Sequence, residues 1–98
     1  MKVITVCGSM KFKEKILKVS NELALKGYCV LQPVYSINKN IIRTDDEHKM
    51  LEKEHQKRID MSDAIYVVNV DNYIGKHTRM EINYAIKNNK EIIYYVNE

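Results

Sequence analysis

Apolar positions along the chain alternate between two rhythms, and the switches between them mark out the elements. Lys2-Val3-Ile4-Thr5-Val6-Cys7 is a short β-branched run that stops at Gly8-Ser9, the pattern of a buried strand meeting a turn. Ser9 then reads as an N-cap. Phe12, Ile16, Val19 and Leu23 follow at helical spacing and share one face, with Lys11, Lys13, Lys15 and Lys18 mostly off it. Gly27 ends that helix, since a residue without Cβ takes the left-handed position after a helix. Tyr28-Cys29-Val30-Leu31 is a second strand closed by Pro33, and residues 32–44 show no period and are expected to form a loop. Thr44-Asp45-Asp46-Glu47 has the capping-box form, after which Leu51, His55 and Ile59 fall on one face of a helix reaching about Met61. Ala64-Ile65-Tyr66-Val67-Val68 is the third strand. A loop from Asn69 to His77 leads to a second capping-box pattern, Thr78-Arg79-Met80-Glu81, and to a helix carrying Ile82, Ala85 and Ile86. The run from Lys90 to Val96 is the last strand.

Strands separated by helices are joined by right-handed crossovers and therefore run parallel. A parallel sheet needs helices on both faces, so the pattern predicts a Rossmann-like three-layer α/β/α sandwich with a parallel sheet of about four strands, order 2-1-3-4. In open sheets of this kind ligands bind beyond the carboxyl ends of the strands, where the strand order reverses. That point lies between the first and third strands, and the segments to watch are Cys7–Lys11 and Asn69–Thr78.

A length of 98 residues suits one domain, and 1–98 is read as a single unit. Its 45% apolar content is enough for a core without staples. Cys7 and Cys29 both lie in apolar runs and read as core residues, and their spacing is not that of a zinc site. The MKVITV opening does not resemble a secretory leader, and no run approaches the roughly 18 apolar residues of a membrane span. A cytoplasmic protein without a membrane partner is expected. The net charge of +3 is spread over scattered lysines. That is too weak a footprint for a nucleic-acid polymer, and fits either a small anionic ligand or an ordinary solvated surface.

Candidate chemistry concentrates at the expected binding edge. The Gly8-Ser9 turn joins a strand to a helix whose N-terminal amides would face a ligand, or it is simply a tight connection; neither a G-x-G-x-x-G nor a Walker loop is present. Glu81 has the spacing of a structural capping residue, yet its helix opens at the cleft, where a carboxylate can act as nucleophile or base. His55 shares a face with Leu51 and Ile59, so it is either a packing residue or a second titratable group converging with Glu81. His77 lies in the right loop, and His48 has no partner argument. Tyr35 and Tyr73 lie in ligand-side loops and are placed to stack on a base, whereas Tyr66, Tyr94 and Tyr95 belong to strands.

Three segments carry a resemblance over essentially the whole chain: Val6-Cys7-Gly8-Ser9-Met10-Lys11, Ser62-Asp63-Ala64-Ile65-Tyr66-Val67-Val68, and Thr78-Arg79-Met80-Glu81-Ile82-Asn83-Tyr84-Ala85 ahead of Lys90-Glu91-Ile92-Ile93. They resemble the nucleoside 2-deoxyribosyltransferase superfamily, and most closely its small branch of 2′-deoxynucleoside 5′-monophosphate N-glycosidases. The resemblance implies cleavage or transfer at the N-glycosidic bond of a deoxynucleoside or its 5′-monophosphate, with Glu81 as the nucleophile that forms a glycosyl-enzyme intermediate. It places Gly8, Ser9, Met10 and Lys11 in a loop that contacts the nucleotide. Gly75 and His77 fall in the family's sugar- and phosphate-side loop; Tyr73, Thr78 and Arg79, in or beside that stretch of this chain, are further substrate-binding candidates, and a helix N-terminus with Lys11, Lys76 and Arg79 is the candidate phosphate holder.

The sequence departs from the family pattern at three points. His55 stands at the usual acidic position, eight before Asp63; His77 replaces a glycine four before Glu81; Gly75 replaces an acidic residue or serine six before it. His55 would then either protonate the leaving base, for which an imidazole pKa of about 6.5 is suited, or orient Glu81. The alternative readings are a nucleotide-binding or sensing module of the same fold that has lost turnover, and a scaffold whose function is protein contact. The resemblance implies no metal or redox cofactor, and a homodimer or higher assembly in which a neighbouring subunit completes a shallow cleft.

Overall fold

In β1 (Val3–Gly8), neighbouring residues point to opposite faces of the sheet. Ile4 and Val6 join one core cluster with Ile16, Val19 and Leu23, while Cys7 joins the other with Ile59, Ile65, Val67, Ile82 and Ala85. The computed structural model describes residues 1–35 and 42–95, so the centre of the expected loop and Val96 lie outside the described residues. Its further elements are α1 (Lys13–Leu25), β2 (Cys29–Leu31), α2 (Asp45–Asp60), β3 (Ala64–Val68), α3 (Lys76–Lys87) and β4 (Glu91–Tyr94). All strand pairs are parallel, in the order β2-β1-β3-β4. α1 covers one face and α2 with α3 the other, the three-layer arrangement that the alternation of strands and helices predicts.

Local chemistry fixes the helix ends. The Thr44 hydroxyl accepts from the Glu47 amide at 3.1 Å while the Glu47 carboxylate accepts from the Thr44 amide at 2.9 Å, a complete capping box. After α1, Gly27 takes φ +98°, and the Tyr28 and Gly27 amides return to the Leu23 and Ala24 carbonyls, the Schellman pattern. Tyr28 packs on the same cluster as Leu23, which anchors the turn into β2. Asn89 does the same after α3 at φ 59°, with the Lys90 and Asn89 amides donating to Ala85 and Ile86.

The structure corrects four expectations. Ser9 caps a single 3-10 turn over Met10–Phe12, and α1 begins only at Lys13. Cys29 is exposed, because it opens a three-residue edge strand at the margin of the sheet. Ile86 is also exposed: Thr78, Ile82 and Ala85 form the buried stripe of α3, and Ile86 lies about 100° round the helix from Ala85. Finally, α3 starts at Lys76 with Gly75 at its N-cap, three residues before the expected Thr78. Thr78 is therefore a buried first-turn residue, and Thr78 and Glu81 form no capping box.

Gly8 is where β1 meets the cleft, and space there is short. A Cβ at this position would sit 3.0 Å from the Val68 carbonyl oxygen and 3.0 Å from Ile16 Cδ1. The carbonyl belongs to the paired strand and has little room to retreat. Gly8→Ala is expected to lower the unfolding free energy by about 1–3 kcal/mol, read as a lower urea midpoint at unchanged slope.

Candidate active site

The reversal of strand order leaves a crevice beyond Gly8 on β1 and Val68 on β3. A cleft of about 590 Å3 occupies it, floored by Gly8 and Ser9 and walled by α2 and α3. α2 presents His48, Leu51, Glu52 and His55, one helical face; α3 presents His77, Met80, Glu81 and Tyr84, again one face. The loop after β3 contributes Tyr73 through a tight turn whose central residues, Asp71 and Asn72, have φ of 52° and 62°. Asp and Asn tolerate that conformation better than other side chains. Tyr73 meets the Phe12 ring edge to face at 5.7 Å, and the Lys11 ammonium lies 3.8 Å from its ring centre.

Most of the residues singled out in the sequence line this cleft. Gly8, Ser9, Met10 and Tyr73 do so, as do Gly75, His77, Thr78, His55 and Glu81. Lys11 and Arg79 stand outside the wall. Lys11 lies over Tyr73, and Arg79 is two residues from Glu81, about 200° round the helix. Lys76, Arg43 and Arg58 supply the basic groups of the lining, against Glu52 and Glu81.

At the bottom of the cleft, three helix and strand residues converge. Glu81 Oε1 is 2.8 Å from His55 Nε2, and Cys7 Sγ is 3.4 Å from the same nitrogen. His55 Nδ1 is 3.1 Å from the Arg58 guanidinium. A guanidinium only donates, so Nδ1 must accept, which leaves the ring proton on Nε2. His55 is thus neutral in this arrangement and donates to the Glu81 carboxylate. Burial pushes the Cys7 thiol well above its ordinary value, and the Glu81 carboxylate adds to the shift through charge and hydrogen bonding. Tyr35 is raised to about 12, chiefly by burial and further by Glu81 and Cys7, and its buried hydroxyl has no hydrogen-bond partner among the described residues.

Cys7, His55 and Glu81 also form the one group among the described residues whose types and proximity would suit a metal ion, with donor atoms within 4.8 Å of one another. As arranged, the three are engaged in their own hydrogen bonds: Nδ1 accepts from Arg58 and Nε2 carries the hydrogen, so coordination would require Nε2 and the thiol to give up their hydrogens. Cys7 and Arg58 are neighbours of His55 that the sequence alone did not assign to the site. Both were signalled. Cys7 is the last residue of β1 on the α2/α3 face, and Arg58 stands three residues after His55, adjacent on the helix surface.

No family model and no curated protein matches the sequence. Solved structures do match. The structure of the CMP N-glycosidase BcmB of Clostridium botulinum superposes with a TM-score of 0.63 at 23% identity, over 95% of this chain and 70% of that one. A 2-deoxyribosyltransferase from Leishmania mexicana superposes with a TM-score of 0.70 at 18% identity, over 100% of this chain and 66% of that one. The fold is the one these two enzymes share. The chain spans about two thirds of their lengths. No helix of the described residues is long and apolar enough to cross a membrane.

The two cysteines provide a direct check of the site's interior. In the native protein a disulfide-exchange reagent is expected to titrate one thiol, Cys29, and to reach Cys7 only after unfolding. Because the Cys7 value is raised by folding, its stabilising contribution is complete below about pH 8.5 and declines as pH rises beyond it. Cys7→Ala is expected to flatten that part of the stability profile, measured by urea denaturation between neutral and alkaline pH.

Proposed function

We propose that the chain belongs to the nucleoside 2-deoxyribosyltransferase superfamily and cleaves or transfers at the N-glycosidic bond of a 2′-deoxynucleoside or its 5′-monophosphate. The observation that carries the reading is the direction of Glu81. It turns into the cleft towards His55, a fifth of its side chain is exposed, and it caps no helix. A nucleophile needs that combination of fixed orientation and open approach. The fold shared with an N-glycosidase and a 2-deoxyribosyltransferase supports the same chemistry.

In this reading a Glu81 oxygen attacks C1′ as the C1′–N bond breaks, through an oxocarbenium-like transition state. The bonding pair leaves on the base nitrogen, which takes a proton from water. Attack of the resulting hydroxide on C1′ breaks the ester and returns the carboxylate, a net addition of one water. A second base in place of water gives transfer. His55 orients Glu81 in this scheme, since a neutral imidazole does not surrender its remaining proton to a leaving base. Leu51, Met80 and Tyr73 offer apolar surface for a planar base, and Arg43 and Lys76 offer charge for a 5′-phosphate. Met10, Val34 and Met80 are more than half exposed beside the cleft, apolar surface that a second copy of the chain would cover in a homodimer.

Incubation with 2′-deoxynucleosides and their monophosphates, followed by chromatography, is expected to show free base, and Glu81→Ala to reduce the rate by roughly 1,000-fold or more. Nucleotide-dependent thermal stabilisation without base release would replace this reading by a binding module that does not turn over.

A further inference from the structure

We propose that Arg58 is a positioning residue that acts through His55: by donating to Nδ1 it holds the ring in its Nε2–H form and aims that hydrogen at Glu81. The catalytic part of this proposal rests on the proposed glycosidic activity, while the protonation pattern of the ring does not.

The geometry is a chain of three groups on two helices. Arg58 and His55 stand three apart on α2, so their side chains meet on one face, and Glu81 faces them from α3. The two contacts, 3.1 Å to Nδ1 and 2.8 Å from Nε2, lie at opposite ends of one imidazole. A proton on Nδ1 would set donor against donor across 3.1 Å, so the contact selects a single tautomer. The group facing the ring from β1 is Cys7, a fully buried thiol, and among the described residues Glu81 is the only carboxylate in hydrogen-bond contact with Nε2.

Two features tie Arg58 down. Its backbone carbonyl accepts from the Ser62 hydroxyl at 2.7 Å, and Ser62 is 2.5 Å from the buried Thr5 hydroxyl of β1. The helix turn that carries Arg58 is therefore fixed to the sheet independently of the guanidinium. Replacing the side chain leaves those bonds in place, which separates a positioning role from a structural one. Arg58 also lines the cleft, so the rival role is direct contact with substrate.

The test combines side-chain 15N NMR of the histidines with kinetics, on wild type, Arg58→Met and Arg58→Lys, with His55→Gln to assign the His55 resonances. Wild type is expected to show His55 protonated on Nε2 alone at neutral pH. Arg58→Met is expected to lose that single form and to lower kcat at least about 10-fold, with KM within about 3-fold. Arg58→Lys, which keeps a cationic donor, is expected to restore the tautomer and part of kcat. A wild-type ring protonated on Nδ1 or on both nitrogens overturns the proposal, and so does an unchanged tautomer in Arg58→Met. A rise in KM at unchanged kcat overturns it in favour of substrate contact. If wild type releases no base from any nucleotide, the glycosidic reading fails, and the NMR comparison still decides whether Arg58 sets the tautomer.

Discussion

The period-two alternation of β1 is the constraint on which both the core and the cleft depend. Ile4 and Val6 are committed to α1, so Thr5 and Cys7 are committed to α2 and α3. Both polar consequences of that assignment are used. Thr5 meets Ser62, which in turn holds the last turn of α2 through the Arg58 carbonyl, and Cys7 ends up beneath His55. A one-residue slip of β1 would exchange the two faces, placing Ile4 and Val6 against the helices of the cleft and removing the thiol from the site. Register against β3, five consecutive residue pairs from Ile4 to Gly8, holds the alternation in place.

The same periodicity explains which parts of the molecule could be read from its residues. Strands bounded by Gly8 and by Ser62-Asp63, and helices bounded by Thr44 and Gly27, announce themselves because each boundary has a side-chain or backbone reason near it in sequence. The strand order follows from parallel crossovers and needs no further information. The start of α3 was obscured because its true N-cap is Gly75, which makes no side-chain hydrogen bond, while Thr78 three residues later imitates a better one. That misplacement matters for chemistry: a helix beginning at Thr78 makes Glu81 a cap, and a helix beginning at Lys76 frees it to face α2. The pairing of Glu81 with His55 joins residues from different helices, and no local spacing encodes it. Cys29 and Ile86 fail for a related reason, since apolar character predicts burial only where another layer lies above it.

A cysteine, a histidine and a glutamate brought within a few ångströms invite two kinds of chemistry, and the fourth residue decides between them. With a carbonyl or carboxylate at Nδ1, a histidine keeps its hydrogen there and turns a bare Nε2 towards the others, as metal-binding histidines do. Arg58 reverses that polarity. The lone pair is consumed at Nδ1, Nε2 becomes a donor, and the carboxylate of Glu81 is left as the acceptor in the cluster with an open side. The buried thiol reinforces the assignment, because burial and the neighbouring Glu81 carboxylate both disfavour an ionised sulfur there. The cluster therefore concentrates its negative charge on one oxygen pair facing the cleft. That distribution suits attack on, or stabilisation of, an electron-poor carbon better than it suits the capture of a cation by three shared ligands.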